Sequence, residues 1–197
     1  YGQHNTAVGY ESLYNNEHST RPGAHGTAAA PPFGEYNTAI GSKSLYTNVT
    51  GGNNTAVGYR SLNVNDKGDS NTAVGADSLF YNNEGNYNTA VGDKALFDLS
   101  VDSKSSPTDW PNKNTAIGVS AGRGNVHGDN NTYLGYNARG TTSSASNEIV
   151  IGDTNVTTLH TYAGISAASF ESVGGATFGG DVILRGGISA DAGATFG

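Results

Sequence analysis

Two stretches of the 197-residue chain gather side chains of the kinds that bind or react. The first, at about residues 17–33, carries His18, Arg21 and His25 among prolines and glycines, which is loop composition. The spacing of the two imidazoles is poor for a metal-ligand pair, and a solvated loop is the plainer reading. The second, at about 98–111, places Asp109 beside Trp110, the single tryptophan, with Pro107 and Pro111 around them. An indole in a polar loop either fills a gap against a neighbouring chain or offers a flat platform to a sugar or protein receptor. Trp110, Asp109, Arg21 and His25 are therefore the candidate receptor-binding residues. Residues 63–70 alternate oxygen-bearing side chains around Gly68 in the manner of a calcium loop, but the closing bidentate Glu is missing and a turn is the better reading. Catalysis has little to work with. No nucleophile elbow, phosphate loop or His-rich metal motif occurs, and the carboxylates lie at variable positions rather than as a spaced pair. The expectation is no enzyme, no cofactor and no metal.

What must position these loops is a repeat. Asn54-Thr55-Ala56-Val57-Gly58 has close copies ending at Gly9, Gly41, Gly75, Gly92 and Gly118, a looser one ending at Gly135 and a degenerate one ending at Gly152. The glycine-to-glycine steps are 32, 17, 17, 17, 26, 17 and 17, so the period is 17 and the two long steps contain the two loops. A short fixed period of this kind signals a solenoid, one repeat per coil, each coil stacked on its neighbours. Both loops interrupt the repeat at the same point, which predicts that they leave the same edge of the stack.

The columns of the repeat assign positions. An aliphatic residue precedes every glycine: Val8, Ile40, Val57, Val74, Val91, Ile117, Leu134 and Ile151. A leucine follows four residues later in the first five coils, as Leu13, Leu45, Leu62, Leu79 and Leu96. These two columns are expected to face each other as the core. Two residues after the glycine stand Glu11, Lys43, Arg60, Asp77 and Lys94, a mixture of signs that only a solvent-facing position tolerates. Thr-Ala-Val alternates as a strand does, the Asn before it suits a turn bonded to its own backbone, and the Gly after it permits a corner with positive φ. Each coil then reads as two very short strands and two turns, and the alanine column, on the face opposite valine, is expected to admit a partner chain. Tyr14, Tyr46, Phe80, Tyr81 and Phe97, which recur beyond the leucine, are expected to pack.

The Asn-Thr-Ala-Val-Gly pattern resembles the repeat of the left-handed parallel β-roll heads of trimeric autotransporter adhesins, an Asn-Ser-Val-Ala-Ile-Gly variant, and is similar to repeats in bacteriophage tail fibres. The likeness covers roughly residues 1–155; the 17-residue period is longer than that of the adhesin heads. It implies a homotrimer with three rolls side by side. Beyond it the motif disappears, and Gly175-Ala176-Thr177-Phe178-Gly179 returns as Gly193-Ala194-Thr195-Phe196-Gly197 around the apolar run at 182–184. Residues 156–197 resemble phage tail-fibre shafts, in which three chains supply one another's core. No heptads appear, which favours the viral fibre over a bacterial adhesin head.

Composition fits this picture. Leu, Ile, Val and Phe account for 35 of 197 residues, low enough to suggest disorder were it not for a solenoid whose coils each need only two or three apolar side chains. Cysteine is absent, and net charge is −7 with the ten Lys and Arg scattered, so nucleic acid is not an expected partner. No apolar run reaches membrane-spanning length, and a start at Tyr1 suggests a piece of a longer chain. The sequence therefore predicts an all-β parallel β-roll or β-solenoid of 17-residue coils, trimeric, over 1–155, followed by a Gly-rich β shaft over 156–197. The expected role is that of an extracellular virion tail-fibre segment attaching to a host-surface glycan or protein, with tail or baseplate proteins as further partners and no membrane insertion. A bacterial surface adhesin and a glycan-depolymerising tailspike are the alternatives.

Overall fold

The structure, a computed structural model, describes residues 4–16, 34–99 and 110–156, all within one compact unit spanning Tyr1–Thr157. Residues 156–197 were expected to form a shaft; only Val156 of these is among the described residues. Eight three-residue strands form one parallel sheet in chain order: β1 (Thr6–Val8), β2 (Thr38–Ile40), β3 (Thr55–Val57), β4 (Thr72–Val74), β5 (Thr89–Val91), β6 (Thr115–Ile117), β7 (Thr132–Leu134) and β8 (Ile149–Ile151). Threonine pairs with threonine and alanine with alanine from β1 to β6, so the chain is a β-solenoid whose sequence repeat is its structural repeat. With strands about 4.8 Å apart, the seven steps make a sheet about 34 Å long. Only one strand per coil forms fully. The second expected strand is reduced to single bridges running Asn15–Thr47–Val64–Tyr81.

The register survives both long steps. β1 still pairs with β2 across 32 residues and β5 with β6 across 26. Each detour leaves after the seventh residue past the glycine, Asn16 in one coil and Leu99 in the other, and the chain rejoins the stack at Gly34 and Pro111. Equivalent corners are interrupted, as equal sequence positions require. Leu99 is itself buried, and the Pro111 carbonyl stands where Gly51, Gly68 and Gly85 stand in the uninterrupted coils, accepting a hydrogen bond from Asn88 Nδ2 at 2.9 Å.

The interior corrects the expected core. Alanine, not the aliphatic residue beside it, faces inward: Ala39, Ala56, Ala73, Ala90 and Ala116 are fully buried. The column Val8, Ile40, Val57, Val74, Val91, Ile117, Leu134 and Ile151 lies on the outer surface of the chain, part-buried at best, with Val8 56% and Ile117 47% exposed. Alternation dictates that one face of Thr-Ala-Val is inside but not which one. Volume decides it. The coil is thin, and Leu45, Leu62, Leu79 and Leu96, fully buried opposite the strand, leave room for a methyl group and not for a branched side chain. A third inward column, Ser44, Ser61 and Ser78, becomes alanine at 95, 121 and 138; each serine hydroxyl donates to the glycine carbonyl three residues back, at 2.9, 3.3 and 3.0 Å.

The other half of the interior is amide. Asn37, Asn54, Asn71, Asn88, Asn114 and Asn131 are buried, and they bond between coils rather than to their own backbone as expected. Asn54 shows the pattern. Its backbone N–H donates to Asn37 Oδ1 at 2.9 Å, its Oδ1 accepts from the N–H of Asn71 at 2.9 Å, and its Nδ2 donates to the Gly68 carbonyl at 2.8 Å. A second ladder, Asn48, Asn65 and Asn82, passes Nδ2–H to the preceding Oδ1 at 2.8–2.9 Å and also to the carbonyls of Gly51, Gly68 and Gly85 at 2.8 Å. Each of these glycine carbonyls thus accepts from two buried amides, so the desolvated polar atoms are met. A Cβ at Gly68 would lie 2.3 Å from Asn65 Oδ1, so glycine is required where both asparagine ladders are present, as at Gly51, Gly68 and Gly85.

Corners are made by left-handed backbone at non-glycine positions. Arg60, Leu62 and Asn53 have φ of 51°, 48° and 59°, and their counterparts in other coils match them. Such conformations cost of order 1–3 kcal/mol each and persist only where the surroundings over-determine them. Here backbone bonds to the coils on either side do so: Arg60 N–H donates to the Ser42 carbonyl of the preceding coil and Leu62 N–H to the Ser78 carbonyl of the following one, both at 2.9 Å. Gly58, at φ 133°, makes the remaining corner, and a Cβ there would lie 2.5 Å from the Gly75 carbonyl oxygen.

Candidate interaction surfaces

Two surfaces of the solenoid stand out by their chemistry. The first is the outer side of the sheet. Threonine and the aliphatic residue project from it in every coil but the last, where Ile149 replaces threonine, and the glycine follows; none of these three columns holds a charge. Beside them run Tyr10, Tyr59, Val119 and Tyr136, all exposed large apolar residues. The three columns make an uncharged stripe along the whole sheet, flanked by Asp93 and Asp153 at two of the eight coils, and completing the burial of each part-exposed aliphatic side chain is worth up to about 1.5 kcal/mol.

The second is a polar groove of about 440 Å³ crossing the coils on either side of the second long step, lined by Asn86, Tyr87, Asn112, Lys113, Asp129, Asn130 and Asn147. Two columns form it. Asn86, Asn112 and Asp129 belong to a ladder in which each side-chain oxygen caps the backbone N–H of the preceding coil: Asn86 N–H donates to Asn112 Oδ1 at 2.8 Å and Asn112 N–H to Asp129 Oδ1 at 2.6 Å. Tyr87, Lys113, Asn130 and Asn147 occupy the left-handed position two residues before the strand, ahead of the buried Asn88, Asn114 and Asn131 and of Glu148. Asn130 Nδ2 donates to Asn147 Oδ1 at 2.9 Å, and the Tyr87 ring is 63% exposed.

Of the candidate receptor-binding residues, the structure describes Trp110 alone; Arg21, His25 and Asp109 lie outside the described residues. Trp110 is half-buried, and its carbonyl accepts from Asn112 Nδ2, so the backbone of the tryptophan is tied to the wall of the groove. The groove residues carry a sequence signal that is easy to overlook. The position before the repeated asparagine, or before Glu148 in the last coil, reads His4, Tyr36, Asn53, Ser70, Tyr87, Lys113, Asn130 and Asn147, a column too variable to be interior.

The remaining features are used internally. Asp77 is buried because Arg60 holds it with two hydrogen bonds, at 2.7 and 2.9 Å, a pairing that also raises the affinity of the Arg60 guanidinium for its proton. Two pairs of the charged column bond along the stack, Lys43–Glu11 at 3.5 Å being the second, while Lys94 pairs with its neighbour Asp93. Tyr14 stacks on Tyr46 with ring centres 5.4 Å apart, and Phe80 on Phe97 at 5.2 Å. In residues 63–70 two of the side chains serve the stack: Asn65 belongs to the second ladder, and Asp69 Oδ1 accepts from the Gly52 N–H at 2.6 Å. Comparisons with protein-family models, with curated proteins and with solved structures find no match to this chain.

Proposed function

We propose that this chain is a structural segment of a viral tail fibre, a phage appendage outside the cell, in which three copies associate side by side and present their loops to a host surface. The observation that carries the reading is the uncharged aliphatic stripe of Val8, Ile40, Val57, Val74, Val91, Ile117, Leu134 and Ile151. A repeating rod with an apolar column at every coil fits copies of itself in register, since any partner must repeat at the same spacing. The sequence likeness to tail-fibre repeats supports the viral assignment, and the shaft-like phrases in residues 156–197 support a chain that continues as a fibre. Strand register is kept across both long steps, so the stripe runs unbroken, and a repeating rod suits reach and attachment. Tail or baseplate proteins and a host glycan or protein are the partners this role requires.

The test is decoration of candidate host bacteria by the fluorescently labelled chain. The expected result is saturable binding that falls about tenfold or more in Trp110→Ala while the mass in solution is unchanged. Binding to no candidate host, or binding indifferent to both Trp110→Ala and the oligomeric state, contradicts an attachment role.

A further inference from the structure

The groove beside Trp110 has the chemistry of a saccharide site, and we infer that it takes a short neutral oligosaccharide, with Tyr87 as stacking platform and Asp129, Asn130 and Asn147 as hydroxyl partners. The inference rests on the attachment reading above and adds the ligand class and the place. Its volume, about 440 Å³, is within the range of small-ligand sites.

Three properties point to sugar. A saccharide ring presents an apolar C–H face and a rim of hydroxyls that both donate and accept, so it calls for a flat aromatic surface next to fixed polar atoms of both kinds. Tyr87 supplies the surface; its ring is exposed while its backbone N–H is held by the Asp69 carbonyl at 3.0 Å. The polar atoms are fixed by bonds that use only part of their capacity. Asp129 Oδ1 caps Asn112, leaving Oδ2; Asn130 Nδ2 donates to Asn147 Oδ1, leaving Asn130 Oδ1 as acceptor and Asn147 Nδ2 as donor. Among the described residues none of these three remaining atoms has a hydrogen-bond partner; Asp129 is held by the ladder, and Asn130 and Asn147 hold each other, which lowers the ordering cost on binding. Lastly, one cation, Lys113, and one anion, Asp129, line the groove, so it holds no net charge to select an acidic ligand.

The experiment titrates the full chain with short neutral oligosaccharides of hexose and of N-acetylhexosamine, read by saturation-transfer NMR and calorimetry, with a sialylated oligosaccharide alongside. Expected is binding of at least one neutral sugar, weakened about tenfold in Tyr87→Ala, equivalent to about 1.4 kcal/mol, and weakened also in Asn130→Ala, with melting temperature and solution mass unchanged. No neutral sugar bound, binding confined to the sialylated sugar, or binding untouched by both variants overturns the inference. So does Tyr87-dependent binding of a deglycosylated host surface protein in place of sugar, which makes the groove a polypeptide site. Failure of this kind by a chain that decorates host cells removes the sugar groove and leaves the fibre reading standing; a chain that binds sugar yet never decorates cells does the reverse.

Discussion

Tyr133 enters the solenoid where the earlier coils have alanine. It is fully buried, and the space it needs comes from Gly122, which stands where Leu45, Leu62, Leu79 and Leu96 stand in earlier coils. A Cβ on Gly122 would lie 2.6 Å from Leu96 Cδ2 and 2.7 Å from Tyr133 Cδ2. The two columns have exchanged bulk across the coil. Gly122→Leu and Tyr133→Ala should each destabilise by about 2–5 kcal/mol, by overpacking and by a cavity respectively, while the double variant should recover most of the loss in a denaturant titration. The Tyr133 hydroxyl gains nothing from its position, being buried without a hydrogen-bond partner. Tyr133→Phe should therefore leave stability unchanged or raise it by about 1 kcal/mol. Burial, with Glu148 nearby, pushes this hydroxyl up from 10.0 to about 12. A phenol held neutral in the folded chain contributes fully below pH 10 and loses its contribution as pH rises from 10 to 12, because the unfolded chain releases the proton first. Melting temperatures across that window should fall more steeply for the wild type than for Tyr133→Phe. The leucine decay at Gly122 is visible in the sequence, but its meaning is not, since only the facing residue shows where the volume went.

At the scale of the coil, the asparagine ladders do what hydrophobic burial does in thicker folds. Asn71→Ala leaves the Asn88 N–H without Asn71 Oδ1, its acceptor at 2.9 Å, in a site with no access to water. The expected cost is about 1–3 kcal/mol, whereas Lys67→Ala, which removes the exposed pair with Glu84, should cost under about 1 kcal/mol; paired urea titrations check both. The period, the strands and the interrupted corners were legible in the sequence because glycine and asparagine recur at fixed offsets. The direction of the asparagine side chains was not. An asparagine in a turn and an asparagine in a ladder look alike in sequence, and what separates them is whether the next coil presents an N–H within reach, as Asn54 N–H does to Asn37 Oδ1. The assignment of faces failed for a related reason. Hydrophobicity marked Val57 as interior, but a coil this thin is limited by volume, and Ala56 is the residue that fits.

For the whole molecule, that reversal moves the proposed partner surface from the alanine column to the aliphatic one. Ala56→Asp should unfold the chain, since a carboxylate at a fully buried alanine has neither room nor counter-charge. Val57→Asp should leave the far-ultraviolet circular dichroism of a folded solenoid while dispersing the assembly, because it charges the neutral stripe without entering the coil. Equal loss of folded signal in both variants would contradict the assignment of faces. The most direct measurement is the mass of the purified chain by sedimentation or light scattering. Copies covering one another's aliphatic stripes, with the threefold arrangement that the likeness to trimeric β-rolls implies, predict three times 20.1 kDa, independent of dilution through the micromolar range. A mass of one chain, with the stripe in water and the fold intact, would contradict the account.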